Sequence, residues 1–195
     1  MSPAGALEAL AERIATEGEP LTSHLIAHPP ADPVFGELVA AGPRAASAPA
    51  DYAFVIEAVR EGYLCHYGTS RILEGADADL TLLAGDLFYA IGINGLAALD
   101  DPESVGILSD LIRVAAELQA EGEAEKAEAL WLAQLLALTC GIDELLTTRI
   151  AALEREESGS LEGLKEWSEN TAETNGLGRR FVSARNAIHF EPTNL

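Results

Sequence analysis

A chain of 195 residues with 32 acidic against 12 basic side chains, net charge −20, is long enough to bury a substantial core, and its charge repels bare nucleic acid and anionic membrane surfaces. Hydrophobic residues make up 48% and charged residues 23%, a globular rather than a disordered composition. Two cysteines, Cys65 and Cys140, make neither a disulfide framework nor a zinc site, and an N-terminus without a basic start or an uninterrupted apolar run makes the cytoplasm the expected compartment.

In chain order the pattern is helix after helix. Apolar spacing at Leu7, Leu10 and Ile14 predicts a helix over 5–17, followed by a short segment at 21–27 that ends at Pro29 and Pro30, and another at 33–41. Together these form an N-terminal helical segment, 1–42. The prolines and small residues of AGPRAASAPA punctuate the chain, and 43–50 is read as a linker. A helical core, 51–167, follows. Asp51 is placed to cap a helix over 52–67, which Gly68, Thr69 and Ser70 break. A loop with Glu74, Gly75, Asp77 and Asp79 leads into an apolar helix over 80–99. Asp101 as cap, Pro102 in the first turn and Gly122 past the end delimit the next helix. A long segment over 123–156 is interrupted only by Gly141. The last stretch, 168–195, is polar with little periodicity and is read as a partly irregular tail. No alternating strand pattern and no internal repeat is visible, so the predicted fold class is all-α, an antiparallel helical bundle.

LTLLAGDLFYAIGINGLAAL, 80–99, has the length of a membrane span. Asp86 inside it would cost about 2.5–3.5 kcal/mol at the bilayer centre, and both flanks are acidic where lysine or arginine anchors belong, so a buried helix rather than a transmembrane segment is expected.

The helix VIEAVREGYLCHYGTSR and the following LTLLAGDLF together resemble the trans-isoprenyl diphosphate synthases, all-α enzymes that elongate allylic diphosphates. Val55, Glu57, Leu64 and His66 fall on that family's first motif helix, and Leu83, Gly85, Asp86 and Leu87 on its L-x-G-D-x-L-L helix; the resemblance spans roughly residues 50–120. Where the family carries D-D-x-x-D this chain has Tyr67, Gly68, Thr69, Ser70 and Arg71, so the carboxylates that hold magnesium are absent. The shortened loop keeps only Arg71 of the family's arginine pair for diphosphate, and no second aspartate-rich motif follows. This combination resembles the non-catalytic small subunit of two-component enzymes such as heptaprenyl diphosphate synthase. The resemblance implies no catalytic or metal-binding residue in this chain, magnesium only in a catalytic large subunit, and a supporting role in long-chain product formation.

Individual residues carry alternatives. His66, Arg71 and Asp86 are ligand or structural candidates. Asp86, with apolar neighbours at helical spacing, is expected to be buried and paired, tying one helix to another, and His66 to be a core residue. Glu57, Arg60 and Glu61 share a face read as a solvated charge stripe or an interface network. Gly85 and Gly92, seven apart, offer a close-approach face that serves either packing within the chain or a subunit interface. Arg179, Arg180 and Arg185 concentrate a quarter of the basic residues near the C-terminus and are candidates to grip a partner. ETNGLGRRF lacks the preceding strand a nucleotide loop needs. Two functions follow: a synthase-like subunit that pairs with a catalytic chain or with itself, or an acidic helical homodimeric interaction protein unrelated to prenyl transfer.

Overall fold

The computed structural model describes residues 2–26 and 28–189. Among these the α-helices are α1 (Ala6–Ala15), α2 (Val34–Ala40), α3 (Pro49–Tyr67), α4 (Ala78–Ala98), α5 (Pro102–Ala120), α6 (Ala124–Cys140), α7 (Glu144–Glu154), α8 (Ser160–Thr174) and α9 (Gly178–Ala187). The all-α expectation holds: the only β pairing among the described residues is an isolated bridge between Leu25 and Leu73, flanked by hydrogen bonds from the Ile26 amide to the Ile72 carbonyl (2.9 Å) and from the Glu74 amide to the His24 carbonyl (2.8 Å).

α3 is the central helix. It begins at Pro49, whose missing N–H is harmless at a first helical position, so Asp51 sits inside the first turn rather than at the cap. Thirteen of its nineteen residues are buried, because α1 and α4 cover one side of it and α2 another, while Val55, Ile56, Val59 and Tyr63 reach the larger core shared with α5 and α6. A smaller cluster forms where Leu7, Leu10 and Ile14 of α1 meet Ala58 and Cys65 of α3, Ala84 and Phe88 of α4, and Ile72 and Leu73 of the α3–α4 connection. α6 carries the same burden on the far side, with Trp131 fully enclosed and edge-on to Tyr63 at 5.2 Å between centroids.

Side-chain caps start the later helices: Asp77 accepts from the Leu80 amide, Asp101 from the Ser104 amide and Asp143 from the Leu146 amide. Gly141, at φ 103°, ends α6 and divides the long segment over 123–156 into α6 and α7. Asp101 does more than cap. It accepts from the Tyr52 hydroxyl (2.6 Å) and the Ser104 hydroxyl (2.5 Å) and pairs with Arg44 (3.2 Å). Partial burial opposes its ionisation, but hydrogen bonds from Ser104 and Tyr52 outweigh this and bring its carboxyl down to about 2. The stretch read as a linker is therefore fastened: Arg44 is tied to α5, Ala45 is buried, and Gly42 lies against Thr139 of α6. Of the partly irregular C-terminal stretch expected over 168–195, the described part is mostly helical. α8 runs through Thr174, and α9 covers 178–187, anchored by Phe181 and Ala184 in the main core; two buried positions three apart are too short a signal to read as periodicity. Residues 190–195 lie outside the described ones.

Gly85 and Gly92 are spent within the chain. A Cβ at Gly85 would stand 2.7 Å from His66 Nε2 and 3.1 Å from Cys65 Cβ, and one at Gly92 would overlap Val59 Cγ2 and lie 3.2 Å from the Val55 carbonyl oxygen. The close approach they permit is that of α4 to α3, so their reading as an intermolecular face is corrected to intramolecular packing. Gly92→Leu should accordingly lower unfolding stability by about 1–3 kcal/mol or more by overpacking, read as an earlier denaturant midpoint. An unchanged midpoint with weakened self-association would contradict the assignment.

Candidate functional site

α3 places Glu57, Arg60 and Glu61 on one face, at positions i, i+3 and i+4. Contrary to the solvated stripe expected, that face points inward: Glu57 and Glu61 are 0% exposed and Arg60 1%. The chain leaves α3 at Gly68 and turns back, so Arg71 returns to these carboxylates. Its Nη2 lies 2.7 Å from Glu57 Oε2 and its Nε 2.5 Å from Glu61 Oε1. Glu61 Oε2 also accepts from the Ser70 hydroxyl (2.8 Å) and the Arg71 amide (3.0 Å), and Ser70 Oγ in turn accepts from the Ile72 and Leu73 amides. α2 closes the cluster, with the Gly36 amide donating to Glu57 Oε1 at 2.6 Å and the Phe35 ring 4.8 Å from the Arg60 guanidinium and 5.7 Å from that of Arg71. Arg60 reaches further, donating to the Ile188 carbonyl at 3.0 Å and lying 5.1 Å from the Trp131 ring.

Two buried carboxylates thus share Arg71 as their counter-charge, with the buried Arg60 guanidinium set among Phe35, Tyr63 and Trp131. Burial pushes Glu57 up from the ordinary carboxylate range against the pull of Arg71 and the Gly36 amide. Burial, reinforced by the charge of Arg71, brings Arg60 down to about 9, still charged at neutral pH. Burial also disfavours the charge on Arg71, but Glu57 and Glu61 outweigh it and hold that guanidinium charged. Arg71, a ligand or structural candidate by sequence, is here the ion-pair partner of Glu57 and Glu61, its side chain 14% exposed.

His66 and Asp86 are brought together across α3 and α4, His66 Nε2 lying 3.3 Å from Asp86 Oδ1. His66 stacks on Tyr89 at 5.4 Å and 9°, with Tyr67 beside it. Asp86 is not the buried acid its neighbours suggested: its side chain is 74% exposed, because the close contact made by Gly85 turns the next residue outward. Burial pushes Cys65 and Tyr63 each up to about 12, and Tyr89 and Tyr67 upward as well, so these groups stay protonated at neutral pH.

The outer face of α4 is the apolar surface that stands out. α4 is long and apolar enough to cross a membrane by length and composition, with a mean hydropathy of 1.4, yet only 33% of its most apolar window is buried. Leu83 and Leu82 stand 66% and 45% exposed. Elsewhere, Arg179 and Arg180 are exposed on α9, whereas Arg185 pairs with Glu169 at 2.8 Å beside a cleft of about 550 Å³ between α6, α8 and α9. That cleft also holds the pairs Lys165–Glu125 (2.6 Å) and His189–Glu128 (3.4 Å), which no sequence spacing announces because their partners lie far apart in the chain, on α6, on α8 and just after α9. Among the described residues no group of three or more histidine, cysteine or acidic side chains is placed to hold a metal ion.

No protein-family model, no curated protein and no solved structure gives a significant match to this chain.

Removing Arg71 tests the cluster. Arg71→Met leaves Glu57 and Glu61 buried without their main counter-charge and should cost about 3–5 kcal/mol at neutral pH. Burial, then opposed at Glu57 chiefly by the Gly36 amide, holds the folded-state pKa of Glu57 above the unfolded value. The variant's residual stability is therefore fullest below about pH 4.5 and is lost as pH rises through the folded-state value. Denaturation midpoints taken from acid to neutral pH check the sign; equal losses at every pH would contradict it.

Proposed function

We propose that this chain is a non-catalytic subunit or degenerate homologue of the trans-isoprenyl diphosphate synthases, docking on a catalytic partner and supporting long-chain prenyl product formation. The observation that carries this reading is the outer face of α4, where a core-type helix sealed against α3 on one side leaves Leu82 and Leu83 bare on the other. Exposed large apolar side chains gathered on one face favour a protein contact. The same helix bears the LAGD residues of the resemblance.

The disposition of Arg71 supports the non-catalytic part. Arg71 is committed to Glu57 and Glu61, and Tyr67, Gly68 and Arg71 stand where the resembling family carries the three aspartates of its metal-binding motif. Under this reading magnesium and diphosphate are handled by the partner, and this chain supplies a docking wall. The second reading, an acidic helical homodimer with no tie to prenyl transfer, would use the same bare face.

Co-purification separates the two. Chain isolated from its native lysate should retain a protein with two intact aspartate-rich motifs, and the pair should elongate an allylic diphosphate in magnesium while the lone chain does not. Leu83→Asp should lower recovery of that protein about tenfold or more, the loss of roughly 1.4 kcal/mol expected for one buried apolar anchor. Sustained prenyl transfer by the lone chain, or a self-associated chain that retains no synthase, would contradict the proposal.

A further inference from the structure

We infer that the α4 face takes a partner of opposite charge, an apolar helical surface that sets an arginine or lysine against Asp86, and not a second copy of this chain; the inference rests on the docking reading above. Asp79, Leu83, Asp86, Ala90, Asn94 and Ala97 fall along one stripe of α4 by helical spacing, and all six are exposed. Asp86 sits one turn from Leu83, the most exposed large apolar side chain, so a surface that covers Leu83 also covers the carboxylate. A carboxylate taken out of water needs a counter-charge. Among the described residues, neither Asp79 nor Asp86 is paired with a lysine or arginine of this chain; Asp86 has only His66, at 3.3 Å.

A second copy pairing through its own α4 cannot meet that need. Parallel pairing of two α4 helices sets Asp86 against Asp86. Antiparallel pairing centred on Leu83 brings Asp79 of each copy within a turn of Asp86 of the other. Two chains of net charge −20 also repel at long range. A basic partner reverses every one of these terms, and attraction to the acidic surface speeds its encounter. Asp86 is then the residue that distinguishes partners, while Leu82 and Leu83 supply the apolar contact.

The double variant Asp79→Arg/Asp86→Arg is the probe: the same apolar stripe with its charge reversed, at two exposed positions. Asp86→Arg alone repeats the test should an arginine in the first turn disturb α4. In sedimentation at micromolar concentration and about 0.15 M salt, which screens the long-range repulsion between two acidic chains, wild type alone should be monomeric. An equimolar mixture of wild type and variant should form a one-to-one complex about tenfold or more tighter than either self-association. A wild-type homodimer that Leu83→Ser abolishes and Asp86→Asn leaves unchanged would overturn the inference while keeping α4 as a docking face. A mixture that does not associate, with circular dichroism showing both chains folded, would overturn it too. Neither result depends on a synthase being retained from lysate, so the two readings fail separately.

Discussion

The pairing of Arg71 with Glu57 and Glu61 is the contact on which the arrangement of the first hundred residues depends. It joins three parts of the chain that are distant in sequence or direction: α2 through the Gly36 amide, α3 through both carboxylates, and the α3–α4 connection through Ser70 and Arg71. Buried ion pairs are weak sources of net stability, because desolvation offsets most of their attraction, yet losing one partner is expensive. Their effect here is on position. Once Arg71 is held, Ile72 and Leu73 are delivered into the smaller core, Leu73 bridges to Leu25, and α4 can start only where Asp77 caps it.

From that fixed start, Gly85 and Gly92 let α4 lie close enough to α3 for His66 to stack on Tyr89. The close packing also decides which residues of α4 cannot turn inward, and Leu83 and Asp86 are among them. The apolar face proposed for docking is thus a geometric consequence of a buried charge cluster on the other side of α3.

Much of this was legible in the sequence, and the failures share a cause. Helix existence and order followed from apolar spacing and from caps such as Asp77 and Asp101, which act locally. Burial of Glu57, Arg60 and Glu61 was not legible as placed, since charged residues at i, i+3 and i+4 look the same on a solvated helix. The available signal was that Val55, Ile56, Ala58, Leu64 and Cys65 lie around α3 on all sides, leaving no polar face for the charges to occupy. Asp86 was misplaced for the converse reason: apolar neighbours imply burial only when something covers them, and nothing among the described residues covers Leu83. α9 escaped because its anchor is a pair of residues, Phe181 and Ala184, whose partners lie in other helices.

Arg71 is held inside the fold by Glu57 and Glu61 and is not free to bind an anion. Following the Arg71 Nε–H resonance by NMR while inorganic diphosphate and magnesium are added tests this most directly. The signal should stay unshifted and protected from exchange throughout the titration, as its bond to Glu61 requires. A saturable shift of that resonance, reporting diphosphate bound at Arg71, would contradict it.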